Sequence, residues 1–297
     1  MRIAVIGHLT IDEIEAGGAR YAIMGGVACY ASLAARILGA EVEVISSVGS
    51  EFPKSYLELL EHAGIDVSKV EIAGENETTR FRITYSEKER IMKLLSRGRD
   101  IELEGDYGGV DGIYLGPVAW ELRLESIRRL AAGFDKLLLD PQGLMRFADE
   151  DGLIKLRSLD LRLPGLWILR ISREESEVLT GESDPKAVLK RLKGLGAEIT
   201  ILTLGREGSI ISRGSEEFKV PCYETEAVDP TGAGDVFGGA FLVEFLRSGD
   251  LRWAAAMGSA MASIVVEGRG FKPLLSEDAL RETMRRAERI LGSIERL

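Results

Sequence analysis

Short, almost continuously apolar runs alternate with amphipathic stretches along most of the chain. Such runs are typical of parallel strands that are covered on both faces. The stretches between them repeat apolar residues at three and four positions, which indicates helices. The predicted strands are 2–7, 42–48, 112–115, 136–140, 166–171 and 199–204. The predicted helices are 27–38, 51–62, 122–132, 173–179, 185–195, 236–246, 251–266 and 277–294. This order predicts the α/β class, with a mostly parallel sheet between two helix layers.

Two stretches break this pattern and predict a small separate sheet. Residues 10–24 scatter single apolar residues among acids and glycines, and within 77–96 Phe81, Ile83 and Tyr85 alternate with polar residues. Strict alternation indicates a half-exposed strand. Because a hairpin alone is only marginally stable, it must pack on the main domain, a ligand or another subunit. We therefore expect 10–24 and 77–96 to form a β-sheet lid.

The composition limits the fold and the partners. With 297 residues, 45% of them hydrophobic and 29% charged, and no repeat or linker, we expect one domain that spans 1–297. A net charge of −10 argues against a nucleic acid or an anionic membrane as partner. The chain starts with a predicted strand instead of a signal peptide, and no apolar run reaches membrane-span length. Cys29 and Cys222 are too few for a disulfide framework, so we expect a cytoplasmic protein.

A glycine-rich turn stands directly before the helix predicted at 236–246. Gly232 and Gly234 can adopt backbone angles that other residues cannot, and Ala233 between them is small. The turn opens onto a helix N-terminus, where unpaired N–H groups and the positive end of the helix dipole converge. The pattern therefore predicts an anion site of about phosphate size.

Two carboxylates flank this predicted anion site. Asp235 lies at its mouth, where it can accept a proton from a hydroxyl group that attacks the bound anion. A first-turn aspartate can also merely favour the start of a helix. Asp229, six residues upstream on the same turn, is hard to explain by capping alone. The pair therefore favours a catalytic site.

The run from Asp229 to Asp235 resembles the C-terminal signature of the ribokinase-like (PfkB) carbohydrate kinases. In that family the Gly-Ala-Gly-Asp segment forms the anion hole, and its aspartate is the catalytic base. The resemblance covers nearly the whole chain and implies a three-layer α/β/α ribokinase-like fold with a β lid. It also implies phosphoryl transfer from ATP, with Mg²⁺, to a hydroxyl of a small sugar or polyol. Family members often use K⁺ near the anion hole, which this sequence leaves open.

Further candidate residues fall at the ends of predicted strands, where ligands of open α/β sheets bind. Asp12 follows the first strand, and Gly25 and Gly26 precede the first helix. Each alone can be a turn residue or a helix start, but their joint placement favours a site. The resemblance implies that Asp12, with Asp229, orients the acceptor hydroxyl. The two glycines match the family's first signature, whose usual asparagine position holds Tyr30 here.

The resemblance also implies a nucleotide and metal side to the site. The segment from Ser172 to Glu175 aligns with the family's Asn-x-x-Glu motif. Glu175 keeps the acid that organises Mg²⁺ through water, whereas Ser172 replaces the asparagine. Matches to the Thr-x-Gly-x-x-Gly nucleotide loop and to the adenine-side position are Thr203, Gly205, Gly208 and Ser259. From spacing alone, the loop is equally a tight turn between strands.

The run from Asp140 to Arg146 bears on the acceptor. Together with 79–95, it resembles an archaeal branch that includes myo-inositol kinases. Gln142 and Arg146 are candidate acceptor-binding residues, because an acid and an amide can together bind several vicinal hydroxyls. They can equally be a helix start and a solvated face. We predict myo-inositol as the acceptor; the alternatives are a nucleoside, ribose, 2-keto-3-deoxygluconate or a sugar phosphate, or a non-catalytic binding protein.

Relatives in this family often dimerise through the lid. The apolar face of Phe81, Ile83 and Tyr85 would permit the same contact here, so the analogy makes a homodimer an expectation.

Overall fold

The computed structural model describes all residues except 17, 75–76, 86–89, 104 and 106. The strands that it describes are β1 (Arg2–Ile6), β2 (Thr10–Ala16), β3 (Ala19–Gly25), β4 (Glu41–Gly49), β5 (Ile65–Ala73), β6 (Arg80–Tyr85), β7 (Arg90–Ser96), β8 (Gly112–Leu115), β9 (Leu137–Leu139), β10 (Arg146–Ala148), β11 (Ile154–Leu156), β12 (Ile168–Ser172), β13 (Ile199–Thr203), β14 (Ser209–Arg213), β15 (Glu216–Val220) and β16 (Glu295–Arg296). The helices are α1 (Val27–Ile37), α2 (Lys54–His62), α3 (Leu124–Gly133), α4 (Gln142–Met145), α5 (Arg173–Thr180), α6 (Pro185–Lys193), α7 (Ala233–Ser248), α8 (Leu251–Val265) and α9 (Ala279–Leu291). Within the described part of the chain, none of these helices is long and apolar enough to cross a membrane.

The main sheet has ten strands in the order β16-β15-β14-β13-β12-β9-β8-β1-β4-β5. Every neighbouring pair from β13 to β5 is parallel, whereas β14, β15 and β16 add an antiparallel edge. Because the parallel strands run in one direction, their carboxyl ends lie along one edge of the sheet. Ligands of open α/β sheets bind at that edge.

Helices cover both faces of the main sheet. In β9, Leu138 belongs to a core that also contains residues of α1, α7 and α8, whereas Leu137 and Leu139 belong to a core with residues of α3 and α6. Successive side chains of a strand point to opposite faces, so the two cores lie on opposite sides of the sheet. The three-layer α/β/α architecture predicted from the sequence is confirmed.

A second sheet of four strands, in the order β3-β2-β6-β7, forms the predicted lid. Its inward face adds Ile14, Ile23, Phe81 and Ile83 to the core that contains α1 and α7, and Tyr85 packs against that core. Phe81 and Ile83 are only 3% and 1% exposed. The expectation that this apolar face serves as a dimer contact is therefore corrected, because the chain's own core covers it. A homodimer itself stays a prediction.

α7 begins at Ala233 instead of 236, which places Asp235 in its first turn. Phe237, Phe241 and Phe245 recur every four residues of this helix, and their ring centroids are 6.2 and 5.7 Å apart in succession. This aromatic row is buried, so packing holds the helix and presents its N-terminus at the sheet edge.

The hydrophobic pattern does not predict β5 or α4. β5 pairs only with β4 within the described chain and exposes Asp66, Lys69 and Glu71, so it lacks a continuous apolar run. α4 has four residues, which is too short for a helical period to be visible. Both elements depend on a neighbour in space instead of on their own periodicity.

Candidate active site

The N-terminus of α7 forms a glycine cradle, by which we mean Gly232, Ala233 and Gly234. Gly232 is the N-cap, with a left-handed φ of 78°, and a Cβ atom there would lie 2.4 Å from the ring of Tyr30. A Cβ atom on Gly234 would lie 2.1 Å from Nη2 of Arg170. The N–H of Ala233 donates a long bond of 3.3 Å to the carbonyl of Pro230, and all three cradle residues are partly exposed. The cradle is therefore an open helix N-terminus that suits an anion.

Asp235 stands in the first turn of α7, next to the cradle, and is partly exposed. Its Oδ1 accepts a hydrogen bond of 3.0 Å from Nε2 of Gln142. Desolvation by the surrounding protein and the neighbouring Asp140 raise the pKa of Asp235 to about 7, although Arg170 and Arg146 oppose the shift. A carboxylate with a pKa near neutrality can accept a proton and release it again, as a general base must.

The short helix α4 presents Gln142 and Arg146 to Asp235. A Cβ atom on Gly143 would lie 2.4 Å from the backbone nitrogen of Val118, so α4 packs tightly on the segment that follows β8. Nη2 of Arg146 donates to Oε1 of Gln142 at 2.5 Å, and Nη1 donates to the Val118 carbonyl at 3.2 Å. Gln142 therefore joins the guanidinium and the carboxylate in one hydrogen-bonded chain.

Asp12 lies on lid strand β2 and is 4% exposed. Its Oδ1 accepts a hydrogen bond of 2.8 Å from Thr10, and desolvation raises its pKa to about 6, although Thr10 and the charge of Arg146 lower it. A Cβ atom on Gly25 would lie 2.0 Å from Oδ2 of Asp12. Gly26 has a φ of 82°, which a side chain tolerates poorly. The two glycines therefore let the first helix start close against this carboxylate.

Asp229 holds a position that the sequence does not reveal. Its Oδ2 accepts hydrogen bonds from the Tyr21 hydroxyl at 2.8 Å and from the Gly270 N–H at 2.9 Å. Its Oδ1 accepts from the N–H and hydroxyl of Thr231 at 2.9 and 2.6 Å. In this conformation the carboxylate joins the lid to the segment before the cradle. A direct bond to an acceptor would require one of these bonds to break.

Tyr30 lies beneath the cradle. Its ring fills the space beside Gly232, and the residue is 1% exposed. Its hydroxyl has no hydrogen-bond partner among the residues that the structure describes. The ring is enclosed behind the cradle, and contact of this hydroxyl with an acceptor stays a prediction.

Arg170 lies against the cradle, and the sequence pattern did not single it out. Its Nη1 donates to Oδ2 of Asp140 at 2.5 Å, and its Nη2 donates to Oγ1 of Thr203 at 2.9 Å. The available signal was a charge inside the apolar run predicted at 166–171. A charge in a buried strand needs a partner or a function, so such an interruption is informative.

Ser172 and Glu175 form a capping box at the start of α5. Oγ of Ser172 accepts from the N–H of Glu175 at 3.4 Å, and the Glu175 carboxylate accepts from the N–H of Ser172 at 3.0 Å. This arrangement gives both side chains a structural role. Whether Ser172 also contacts a nucleotide stays a prediction.

Glu175 can contribute one carboxylate to a metal site. Among the described residues, no group of three or more His, Cys, Asp or Glu side chains could hold a metal ion. Mg²⁺ in kinases is commonly bound through one or two carboxylates, waters and the substrate phosphates, so a single glutamate fits it. When bound, Mg²⁺ would offset the negative charge of the donor phosphates.

The predicted nucleotide loop follows β13, beside β12. Thr203 pairs with Ser172 across the two parallel strands, at the carboxyl edge of the sheet. Gly205 and Gly208 have φ values of 61° and 90°, so the turn requires glycine or a strained residue there. Oγ of Ser259, on α8, donates to the Pro221 carbonyl at 2.9 Å. The contact of these residues with a nucleotide stays a prediction.

Residues 3–277 match the pfkB family of carbohydrate kinases. The chain belongs to this family. The cytidine kinase of Thermococcus kodakarensis is 28% identical over 276 residues, which cover 90% of this chain and 97% of that protein. The nucleoside kinase of Methanothermobacter thermautotrophicus is 30% identical over 83% of this chain and 79% of its own length. A solved pyrophosphate-dependent kinase of the ribokinase family, complexed with a pyrophosphate analog and myo-inositol, has a TM-score of 0.81 at 22% identity and covers 94% of this chain and 99% of its own.

Membership of the pfkB family makes this protein a kinase of carbohydrates or nucleosides. The ribokinase-like fold predicted from the sequence is confirmed by the same matches. The family does not decide the acceptor, because its members are named for both nucleosides and inositol.

Proposed function

We propose that this pfkB kinase phosphorylates a hydroxyl group of a small neutral polyol, with myo-inositol as the best candidate. The observation that carries the proposal is the environment of Asp235. This partly exposed carboxylate, with a pKa raised to about 7, is held by Gln142 next to the glycine cradle. A base and an anion site side by side are what phosphoryl transfer to a hydroxyl requires.

In the proposed reaction, the acceptor oxygen attacks the terminal phosphorus of ATP while its proton passes to Asp235. The bond between that phosphorus and the bridging oxygen breaks, and ADP leaves with the electron pair. N–H groups of Gly232, Ala233 and Gly234 would bind the non-bridging oxygens and stabilise the charge in the transition state. The phosphorylated acceptor and ADP are the products, and Asp235 releases its proton to solvent.

The lid would exclude water during this step. The hydroxyls of Tyr85 and Thr231 are 2.8 Å apart, and the Tyr21 hydroxyl donates to Asp229 at 2.8 Å. Both bonds join the lid to the segment directly before the cradle. A closed lid matters to a kinase because water would otherwise accept the phosphoryl group.

A neutral polyol as acceptor is supported by the side chains near the base. Asp12, Gln142 and Arg146 offer a carboxylate, an amide and a guanidinium, which can together bind several hydroxyls.

A nucleoside is the second candidate acceptor. Its support comes from the cytidine kinase of Thermococcus kodakarensis and the nucleoside kinase of Methanothermobacter thermautotrophicus, which match most of this chain. A nucleoside offers ribose hydroxyls to the same base, so the reaction would be unchanged and only the acceptor would differ.

The deciding experiment measures ADP release from MgATP with myo-inositol, cytidine, adenosine, ribose, 2-keto-3-deoxygluconate and fructose 6-phosphate. The Asp235→Asn variant serves as the blank for each acceptor. A strong response to myo-inositol alone supports the proposal, and a strong response to cytidine moves the protein to the second candidate. If ATP binds but no acceptor responds, a non-catalytic binding protein becomes the leading hypothesis.

A further inference from the structure

Arg170 is a buried cation inside the main sheet. It lies on β12 between β9 and β13, and its side chain is 8% exposed. Its strand neighbours Leu169 and Ile171 point into the core on the α3 and α6 side, so Arg170 points to the opposite face, toward α7. Burying a guanidinium in this way is unfavourable unless its charge is paired and its hydrogen-bonding groups are satisfied.

The described residues satisfy only some of the N–H groups of Arg170. Asp140 accepts from Nη1 at 2.5 Å and Thr203 accepts from Nη2 at 2.9 Å. Nε of Arg170 is buried and has no hydrogen-bond partner within the described residues. Buried hydrogen-bond donors of native proteins are rarely left unpaired, and an exception points to a bound partner or a function.

The guanidinium also lies against the glycine cradle. A Cβ atom on Gly234 would be 2.1 Å from Nη2 and 2.5 Å from Cζ of Arg170. The positive end of α7 and the guanidinium therefore stand side by side, so the space between them favours an anion. Because Gly234 has no side chain, it does not block the guanidinium from that space.

We propose that Arg170 is a further phosphate-binding residue, whose guanidinium contacts the terminal phosphoryl group of the donor in the glycine cradle. This assignment rests on the proposed function of the cradle. Guanidinium groups bind phosphate oxygens with several parallel N–H bonds, and Arg170 has N–H groups that are not used in its bonds to Asp140 and Thr203. The terminal phosphoryl group is common to a nucleoside triphosphate and to inorganic pyrophosphate. Arg170 thus strengthens donor binding and offsets charge during transfer.

The test measures binding of MgATP and of pyrophosphate, each without acceptor, by calorimetry. The variants are Arg170→Met, Arg170→Lys and Asp140→Asn. The control is Arg213→Met, which removes an exposed arginine on β14. Arg213 pairs with Ile199, which lies at the opposite end of β13 from Thr203. We expect Arg170→Met to lower the affinity for the phosphoryl donor that the wild type binds by about tenfold to a hundredfold. This is the usual effect of losing a charged hydrogen bond. Arg170→Lys should bind between the two, and Arg213→Met should bind as the wild type does.

Asp140→Asn separates phosphate binding from a purely structural ion pair. Both Arg170→Met and Asp140→Asn remove the pair, so a structural role predicts equal weakening of donor binding in the two variants, and that result would overturn the assignment. Phosphate binding predicts that Asp140→Asn, which keeps the guanidinium, binds the donor at least as tightly as the wild type. If Arg170→Met does not fold, the Arg170→Lys and Asp140→Asn pair decides in the same way, with Arg170→Lys weaker and Asp140→Asn not.

The two arms identify the donor, because whichever ligand binds the wild type must lose affinity in Arg170→Met. Unchanged binding in that variant, or a wild type that binds neither ligand, contradicts the assignment. Since no acceptor and no turnover are involved, donor binding that depends on Arg170 can stand even if every acceptor in the panel fails. Failure of the proposed function and failure of this assignment are therefore distinguishable.

Discussion

Nε2 of Gln142 lies 3.0 Å from Oδ1 of Asp235, although 93 residues separate them along the chain. The bond holds the carboxylate and lowers its pKa, against the larger effects of desolvation and Asp140 that raise it. The position of the base and the pH at which it titrates therefore both depend on the short helix α4.

The rate of phosphorylation should fall as the pH falls below about 7, because the pKa of Asp235 is raised to about 7 and only its deprotonated form can accept the hydroxyl proton. We expect kcat/KM for the acceptor to lose about one decade per pH unit on the acid side. Measurement from about pH 5 to about pH 9 at saturating MgATP checks this. A flat profile across neutrality would contradict the assignment of Asp235 as the base.

Gln142→Met provides the companion measurement. The methionine keeps the volume but cannot donate to Asp235, so the pKa of the carboxylate should rise and the acid limb should move to higher pH. Thr84→Val is the control, because Thr84 donates at 3.1 Å to Glu15 within the lid. A limb that stays in place in Gln142→Met would show that the bond does not tune the base.

Asp235→Asn should stabilise the protein above neutral pH. A carboxyl whose pKa is raised in the folded state contributes stability that is complete below its unfolded pKa of 3.8 and is lost as the pH rises through about 7. The asparagine carries no charge, so it avoids this loss. After allowance for the partial exposure of Asp235, we expect a gain of about 1–2 kcal/mol at alkaline pH.

Urea unfolding at an acidic and an alkaline pH measures this gain, with the exposed Asp151→Asn as the control. The difference between Asp235→Asn and the wild type should grow as the pH rises. A difference that shrinks with rising pH would have the wrong sign and would show that the folded protein favours the charged form of Asp235.

The tyrosines that join the lid to the cradle segment should affect both stability and water exclusion. Tyr85→Phe removes the bond to Thr231 and should lower the free energy of unfolding by about 0.5–1.5 kcal/mol. Tyr21→Phe removes a donor to the buried carboxylate of Asp229 and should cost about 1–3 kcal/mol. Both variants should hydrolyse more ATP in the absence of acceptor. ATP hydrolysis at the wild-type rate in both would refute a role of these bonds in closure.

Gly239→Ala should destabilise the protein by about 1–3 kcal/mol, the usual effect of overpacking. A Cβ atom there would lie 2.5 Å from the carbonyl oxygen and 2.9 Å from Cα of Ala31, so α7 and α1 would have to separate. Gly133→Ala is the matched control, because nothing lies within 4 Å of its Cβ position at the end of α3. Urea midpoints of the two variants give the comparison. Equal midpoints would show that α1 yields without strain.

The cradle could be predicted because its chemistry is contiguous in the chain. The glycines, the helix start and Asp235 occupy neighbouring positions, so local backbone rules suffice to place them together. The lid could be predicted from alternation in 77–96, but its partner could not. Phe81 and Ile83 face the core of the same chain, and an alternating pattern cannot tell that core from a second subunit.

Asp229 and Arg170 mark the limit of local reasoning. Acceptor contact by Asp229 stays a prediction, and the hydrogen bond to Tyr21, which spans 208 positions and joins the lid to the cradle segment, could not be predicted from the sequence. Arg170 and Asp140 are 30 positions apart and meet only because β12 and β9 are neighbours in the sheet. Neither pairing leaves a periodic signal in the sequence.

The sequence by itself determined the α/β class and the kinase family, and it predicted the anion site with its candidate base, since the patterns that carry each of them are local in the chain. Only the tertiary structure decided what surrounds Asp235. Gln142, Asp140 and Arg170 come from separate elements, and their effects on its pKa depend on burial and on distances through space. Those distances exist only after the strands have taken their order in the sheet.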